Sequence, residues 1–158
     1  MNIDVEIREL LRRDHEKVVS DIEALRVETD SRRALSRLAL LRRSWVIHAL
    51  AEETVVYRAL EGADAARGAK LQADERFIEH ELVEGLFDKL SRSRPGTLEW
   101  HARVNVAAEL IRRHIETEHE DTFVALGERF DQEQLDEIGR RFTLARDKLH
   151  MLEEAKAA

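Results

Sequence analysis

Leu41-Arg-Arg-Ser-Trp45-Val-Ile-His48-Ala-Leu-Ala-Glu52-Glu-Thr-Val55 decides the fold. Leu41, Trp45, His48, Glu52 and Val55 are spaced by four, three, four and three residues, as on the core-facing side of an α-helix. A histidine and a glutamate thus stand where two core hydrophobics belong. The exchange recurs at His80-Glu-Leu-Val-Glu84 and at His114-Ile-Glu-Thr-Glu118, while His15 follows Asp14 with no glutamate one turn on. The histidines are nearly evenly placed, 33 residues from His15 to His48, 32 on to His80 and 34 on to His114. A helix and a short connection fill each interval. The pattern predicts an all-α, up-down-up-down four-helix bundle whose middle layer is polar.

Outward from that layer, the first helix is expected from about Asp4 to Glu28 on Ile7, Leu11, His15, Val18, Ile22 and Leu25. The second runs from about Arg32 to Leu60, with Leu38 and Ala59 completing its seam and Thr29-Asp30-Ser31 supplying a cap. After the breaker-containing loop Glu61 to Gly68, the third spans about Ala69 to Ser91 on Ala73, Phe77, His80, Glu84 and Phe87. Thr97 closes a Pro-Gly loop and caps the fourth, about Leu98 to Leu126, on Val104, Ala107, Ile111, His114, Glu118 and Ala125, with Gly127 as its stop. A short fifth helix, about residues 131–152, starts at the capping box Asp131-Gln-Glu-Gln134 with Phe130 and Leu135 as a hydrophobic staple. It is expected to cover one end or side of the bundle (about residues 4–127) and to fray from Met151 on. The 158 residues read as a single domain. Helices one and two look like a counterpart of helices three and four, since His48-x-x-x-Glu52 and its sequel echo His114-x-x-x-Glu118 and its sequel.

One proline, six glycines and 37% charged residues suit helices better than sheet. A net charge of −7 argues against non-specific binding to nucleic acid or to a membrane surface. No cysteine is present, so disulfides, thiolate metal sites and cysteine nucleophiles are excluded. The first residues lack the order of a signal peptide, and no stretch approaches the ~20 apolar residues of a membrane span. A soluble, cytoplasmic protein is expected.

The glutamates carry the chemical argument. Carboxylates are almost never fully buried unless paired, and no lysine or arginine shares the seams of Glu52, Glu84 and Glu118. A cation removes the difficulty. Imidazole with carboxylate suits iron, manganese or zinc, and four imidazoles with three carboxylates exceed what a single zinc takes. They are enough for two ions ~3.5–4 Å apart with carboxylates between them. The expected metal set is therefore His15, His48, Glu52, His80, Glu84, His114 and Glu118. Trp45 and Phe77, one turn away, are expected as walls. Tyr57 faces away from His48 on an α-helix, and His101 and His150 read as surface histidines.

These residues also carry a resemblance. A single histidine is followed by His-x-x-x-Glu-Glu and an aromatic (His48, Glu52, Glu53, Tyr57), by Glu-His (Glu79, His80), and by His-x-x-x-Glu and an aromatic (His114, Glu118, Phe123). Over about residues 5 to 127 the chain resembles the hemerythrin-like, or HHE cation-binding, family. The resemblance implies two iron ions in the bundle, bridged by carboxylate and by oxo or hydroxo. His15 and His48 would hold one ion, His80 and His114 the other, and Glu52 and Glu118 would bridge them. It implies a small partner at iron: dioxygen, peroxide or nitric oxide. Turnover would make the protein an enzyme, stoichiometric binding a carrier or scavenger; an iron- or oxygen-responsive sensor without turnover is the alternative.

Two positions depart from the oxygen-carrying members. Glu84 stands where they have a third-helix histidine, and the added negative charge would favour the ferric state. His119 stands where they have an aspartate, five residues after the fourth-helix histidine. That spacing puts it about 140° around an α-helix from His114, facing a neighbouring helix unless the pitch changes locally.

Overall fold

The structure is a computed structural model that describes residues 5–62 and 67–157. Helix α1 (Ile7–Val27) begins where the Glu6 carboxylate accepts the Arg8 N–H, and its six expected core positions are all buried. Asp30 caps α2 (Ser31–Ala51), accepting the Arg33 N–H at 2.8 Å. Beyond α2 the helix does not stop. It widens into a π-helical segment, Glu52–Tyr57, and closes with one turn, Arg58–Leu60. Helix α3 spans Arg67–Ser91. Helix α4 (Leu98–Thr117) starts on Thr97, whose hydroxyl accepts the Trp100 N–H. It too passes into a π-helical segment, Glu118–Thr122, and then into Phe123–Arg129.

Helix α1 packs on α2 and α4, and α3 packs on the same two, which makes the predicted four-helix bundle. The last helix, α5 (Gln132–Ala157), lies against α1, α2 and the π segment of α2. Its capping box forms as expected: Asp131 N–H donates to Gln134 and Gln134 N–H donates back to Asp131. The expected start at Asp4, the middle of the loop before α3 and the last residue, Ala158, lie outside the described residues.

Three expectations about the elements are corrected. Helix α5 is 26 residues long, not short, and Arg43 of α2 meets its last turns at the His150 carbonyl and the Glu154 carboxylate. Gly127 does not stop the fourth helix, which runs on to Arg129. It gives clearance instead, since a Cβ there would sit 2.9 Å from the Arg8 guanidinium. In α3 the buried face is Ala73, Arg76, His80, Val83, Phe87 and Leu90, so after His80 the seam steps three residues to Val83 and leaves Glu84 exposed.

Two apolar clusters fill the bundle. One holds Leu38, Trp45, Phe87, Trp100 and Ile111, the other Leu11, Val56, Tyr57, Phe123 and Phe142. Burying each such side chain contributes about 1.5–3 kcal/mol relative to exposure. Between the clusters lies a layer of His15, His48, Glu52, His80, His114 and Glu118, all buried. No helix among the described residues is long and apolar enough to cross a membrane.

Candidate metal centre

Helix pitch builds the layer. His48 and Glu52, and likewise His114 and Glu118, are one α-turn apart on a single face. The π segments begin at the two glutamates. A π-turn bonds residue i to i+5, so the side chain five positions after each glutamate comes round to the core. Tyr57 follows Glu52 by five and Phe123 follows Glu118 by five, and both are buried. The Tyr57 hydroxyl donates to Glu118 Oε1 at 2.5 Å and faces Glu52 Oε2 at 3.2 Å, tying the two carboxylates together.

Toward the centre, each histidine presents Nε2. His15 Nε2 is 3.1 Å from Glu118 Oε2 and 3.8 Å from Glu52 Oε1. His48 Nε2 lies 3.3 Å from Glu52 Oε2, and His80 Nε2 lies 3.4 Å from the same oxygen. His114 Nε2 is 3.5 Å from Glu118 Oε2 and 3.2 Å from His80 Nε2.

Away from the centre, each Nδ1 has its own partner. Asp14 faces His48 at 3.3 Å, Glu53 faces His80 at 2.8 Å, Glu79 faces His114 at 2.9 Å, and His119 Nε2 faces His15 at 3.0 Å. An ionised carboxylate only accepts, so it holds the ring proton on Nδ1 and leaves the inward Nε2 lone pair free. This is how ligating imidazoles are usually oriented. Asp14 is itself anchored by Arg146 of α5 at 2.5 Å, and Glu79 by the buried Arg76 at 2.6 Å.

The electrostatics describe a site short of positive charge. Burial opposes protonation of His48, yet the carboxylates of Glu52 and Asp14 outweigh it and push its pKa up to about 10. His80 is pushed up to about 9 against the same burial by Glu52 and Glu53. Burial works to raise Glu52, but the surrounding histidines, His48 first, hold it well below the usual carboxylate range. Burial and then the Glu118 and Glu52 charges drive Tyr57 far above its ordinary value, which keeps it a phenol that donates.

The donor set fits a metal. His15 Nε2, His48 Nε2, Glu52 Oε1 and Glu118 Oε2 are buried and lack a hydrogen-bond partner, and all four belong to this layer. Ligand atoms within 4.8 Å of one another fall into two sets, His15, His48, Glu52 and Glu118 in one and Glu52, His80 and His114 in the other. The sets share Glu52. Such mixed imidazole and carboxylate sites suit iron, manganese or zinc.

The model of the hemerythrin HHE cation-binding domain matches residues 6–126. The chain belongs to that family. A protein named DNA nickase, from Nostoc sp. (strain PCC 7120 / SAG 25.82 / UTEX 2576), is 24% identical over 149 residues. The match takes in 92% of this chain and 40% of that protein, so the chain spans less than half the length of that relative. No solved structure gives a significant match.

Within this HHE domain, six of the seven expected ligands meet in one layer, and Glu84 does not. Glu84 is exposed beside Leu35, Arg42 and Arg43 in a surface groove, because Val83 takes the core position at no desolvation cost. The charge it was expected to add at the centre is therefore absent. His119 is exposed and stands behind His15 rather than in the layer. His101 and His150 are on the surface, as expected. Trp45 forms a wall, its ring 5.5 Å from His80 and 5.6 Å from His114.

Sequence reasoning missed the outer partners and Tyr57. Asp14 and Glu79 precede a centre histidine, and Glu53 follows a centre glutamate; adjacency to the motif was their signal. Tyr57 was misplaced because an α-helical pitch was assumed through it.

Proposed function

We propose that this chain is a non-haem di-iron protein that binds or reacts with dioxygen, peroxide or nitric oxide. The observation that carries the reading is the pair of donor sets joined at Glu52, with unpartnered nitrogen and oxygen atoms facing inward. Family membership supports a cation there, and the choice of iron rests on the donor types. His15 and His48 would hold one ion and His80 and His114 the other, with the carboxylates of Glu52 and Glu118 available to both. Two imidazoles with carboxylate oxygen form a donor set of the kind that non-haem iron proteins use. Iron bound there in the ferrous state would supply electrons to a small oxidant.

The protein's own residues set access and polarity. Trp45, Val55, Phe87 and Ile111 keep the layer between apolar walls. Tyr57 keeps a proton at its hydroxyl, beside the two shared carboxylates. A recess of about 390 Å³ is lined by Tyr57, Ala73, Arg76 and Thr122. With Glu84 on the surface, its charge does not favour the ferric state at the centre.

A sensing role without turnover has one supporting observation, the six polar side chains buried in the layer, which couple folding to the ion. Nicking is not carried over from the Nostoc relative, since that match spans 40% of its length and a charge of −7 opposes approach to DNA. Iron-loaded protein should be reduced and then exposed in turn to air, peroxide and nitric oxide while its visible spectrum is followed. A spectral change with at least one of them supports the reading. Loaded protein that responds to none would leave a metal-stabilised bundle, and loaded protein that responds without consuming peroxide would favour carriage or sensing.

A further inference from the structure

The two halves of the chain use matching positions for matching work. Asp14 and Glu79, each just before a centre histidine, take the Nδ1 of His48 and of His114. Glu53 and His119, each just after a centre glutamate, take the Nδ1 of His80 and of His15. Asp14 and Glu79 also match in being tied to an arginine, Arg146 and Arg76. The repeat breaks at one place. Glu53 is a carboxylate and His119 is an imidazole. Nor is His119 a loose surface group, since its ring packs on Phe123 with centroids 4.5 Å apart and lies 5.2 Å from the ring of His15.

A carboxylate behind a ligating imidazole fixes its orientation and makes it a stronger donor; a neutral imidazole fixes orientation while adding no charge. We infer that His119 is the positioning residue for His15, and that its imidazole, standing where the repeat otherwise puts a carboxylate, makes the His15–His48 half the weaker ion site and the first to give up its ion. The inference rests on the two-ion reading above.

Cobalt(II) alone, whose visible bands report its ligands, should be titrated into the metal-free full chain and then removed with a chelator. The wild-type protein is expected to fill and empty in two resolved steps. His119→Ala should weaken the weaker step by about 10–100-fold and leave the tighter one nearly unmoved. His119→Gln, which keeps a neutral acceptor, should stay near wild type. His119→Glu restores the repeat and should tighten the weak step until the two merge. Glu53→Gln should weaken the tighter step instead. The exposed position of His119 leaves the fold intact, checked by unchanged helicity. If His119→Ala and His119→Glu move neither step, or move the tighter one, the assignment is overturned and the two-ion site stands. If wild-type protein binds no cobalt, the two-ion reading itself fails.

Discussion

His15, His48, His80 and His114 each have an outer partner at Nδ1 and turn Nε2 toward the shared centre. Their placement follows from energetic cost at single residues. Val83 can be buried freely and Glu84 cannot, so the α3 seam passes through Val83. Glu84→Ala is therefore expected to leave metal content and melting temperature unchanged; loss of metal in that variant would return Glu84 to the ligand set. Tyr57 answers to a different cost. Its hydroxyl reaches both Glu52 and Glu118, and removing it leaves buried carboxylate oxygen unsatisfied. Tyr57→Phe should destabilise the protein by about 1–3 kcal/mol in chemical denaturation while retaining bound metal. A neutral effect would mean that the carboxylates are satisfied without it.

At the scale of elements, the two π segments matter most, because each begins at a shared glutamate and turns the residue five further on into the core. Such a segment amounts to one residue inserted into an α-helix. Deleting exposed Thr54 should restore α-pitch after Glu52 and leave Tyr57, then four residues on, facing the carboxylates, so metal content and helicity by circular dichroism should stay near wild type. Loss of metal in the deletion variant would show that the wider pitch itself is needed at the site. The same segments mark the limit of what the sequence discloses. The α1 stripe Ile7 to Leu25 was legible residue by residue, since an α-period runs through it unbroken, and so were the caps at Asp30, Thr97 and Asp131. Past Glu52 and Glu118 the period changes. There the expected face was misread at Tyr57, and Ala125 was given the place that buried Leu126 takes. The outer carboxylates were hidden for another reason: Asp14 and Glu53 reach across to a neighbouring helix, and a pairing of that kind has no period to read. The contacts of Arg43 of α2 with the last turns of α5 are likewise far apart in sequence.

The molecule as a whole sets protons against cations in its middle layer. In the metal-free protein His48 and His80 have folded pKa values pushed up to about 10 and about 9, above the ~6.5 of an unperturbed histidine. Groups shifted upward in the folded state contribute stability fully below the unfolded value and lose it as pH rises through the folded value. Metal-free protein should therefore lose thermal stability between about pH 6.5 and 10, whereas metal-loaded protein should hold its melting temperature across that window, because the ion needs the imidazoles deprotonated. Metal uptake at neutral pH should release protons, detectable in weakly buffered solution. Identical melting profiles with and without metal would mean that the layer does not couple the two.

The most direct test is the iron content of protein produced with iron supplied, measured beside Glu52→Ala, which removes the carboxylate common to both donor sets. The account predicts about two irons per chain in the wild type, as a paired site of this kind holds, and loss from both halves in the variant. Wild-type protein that carries no iron, takes up none in metal-free form and melts as Glu52→Ala does would contradict it.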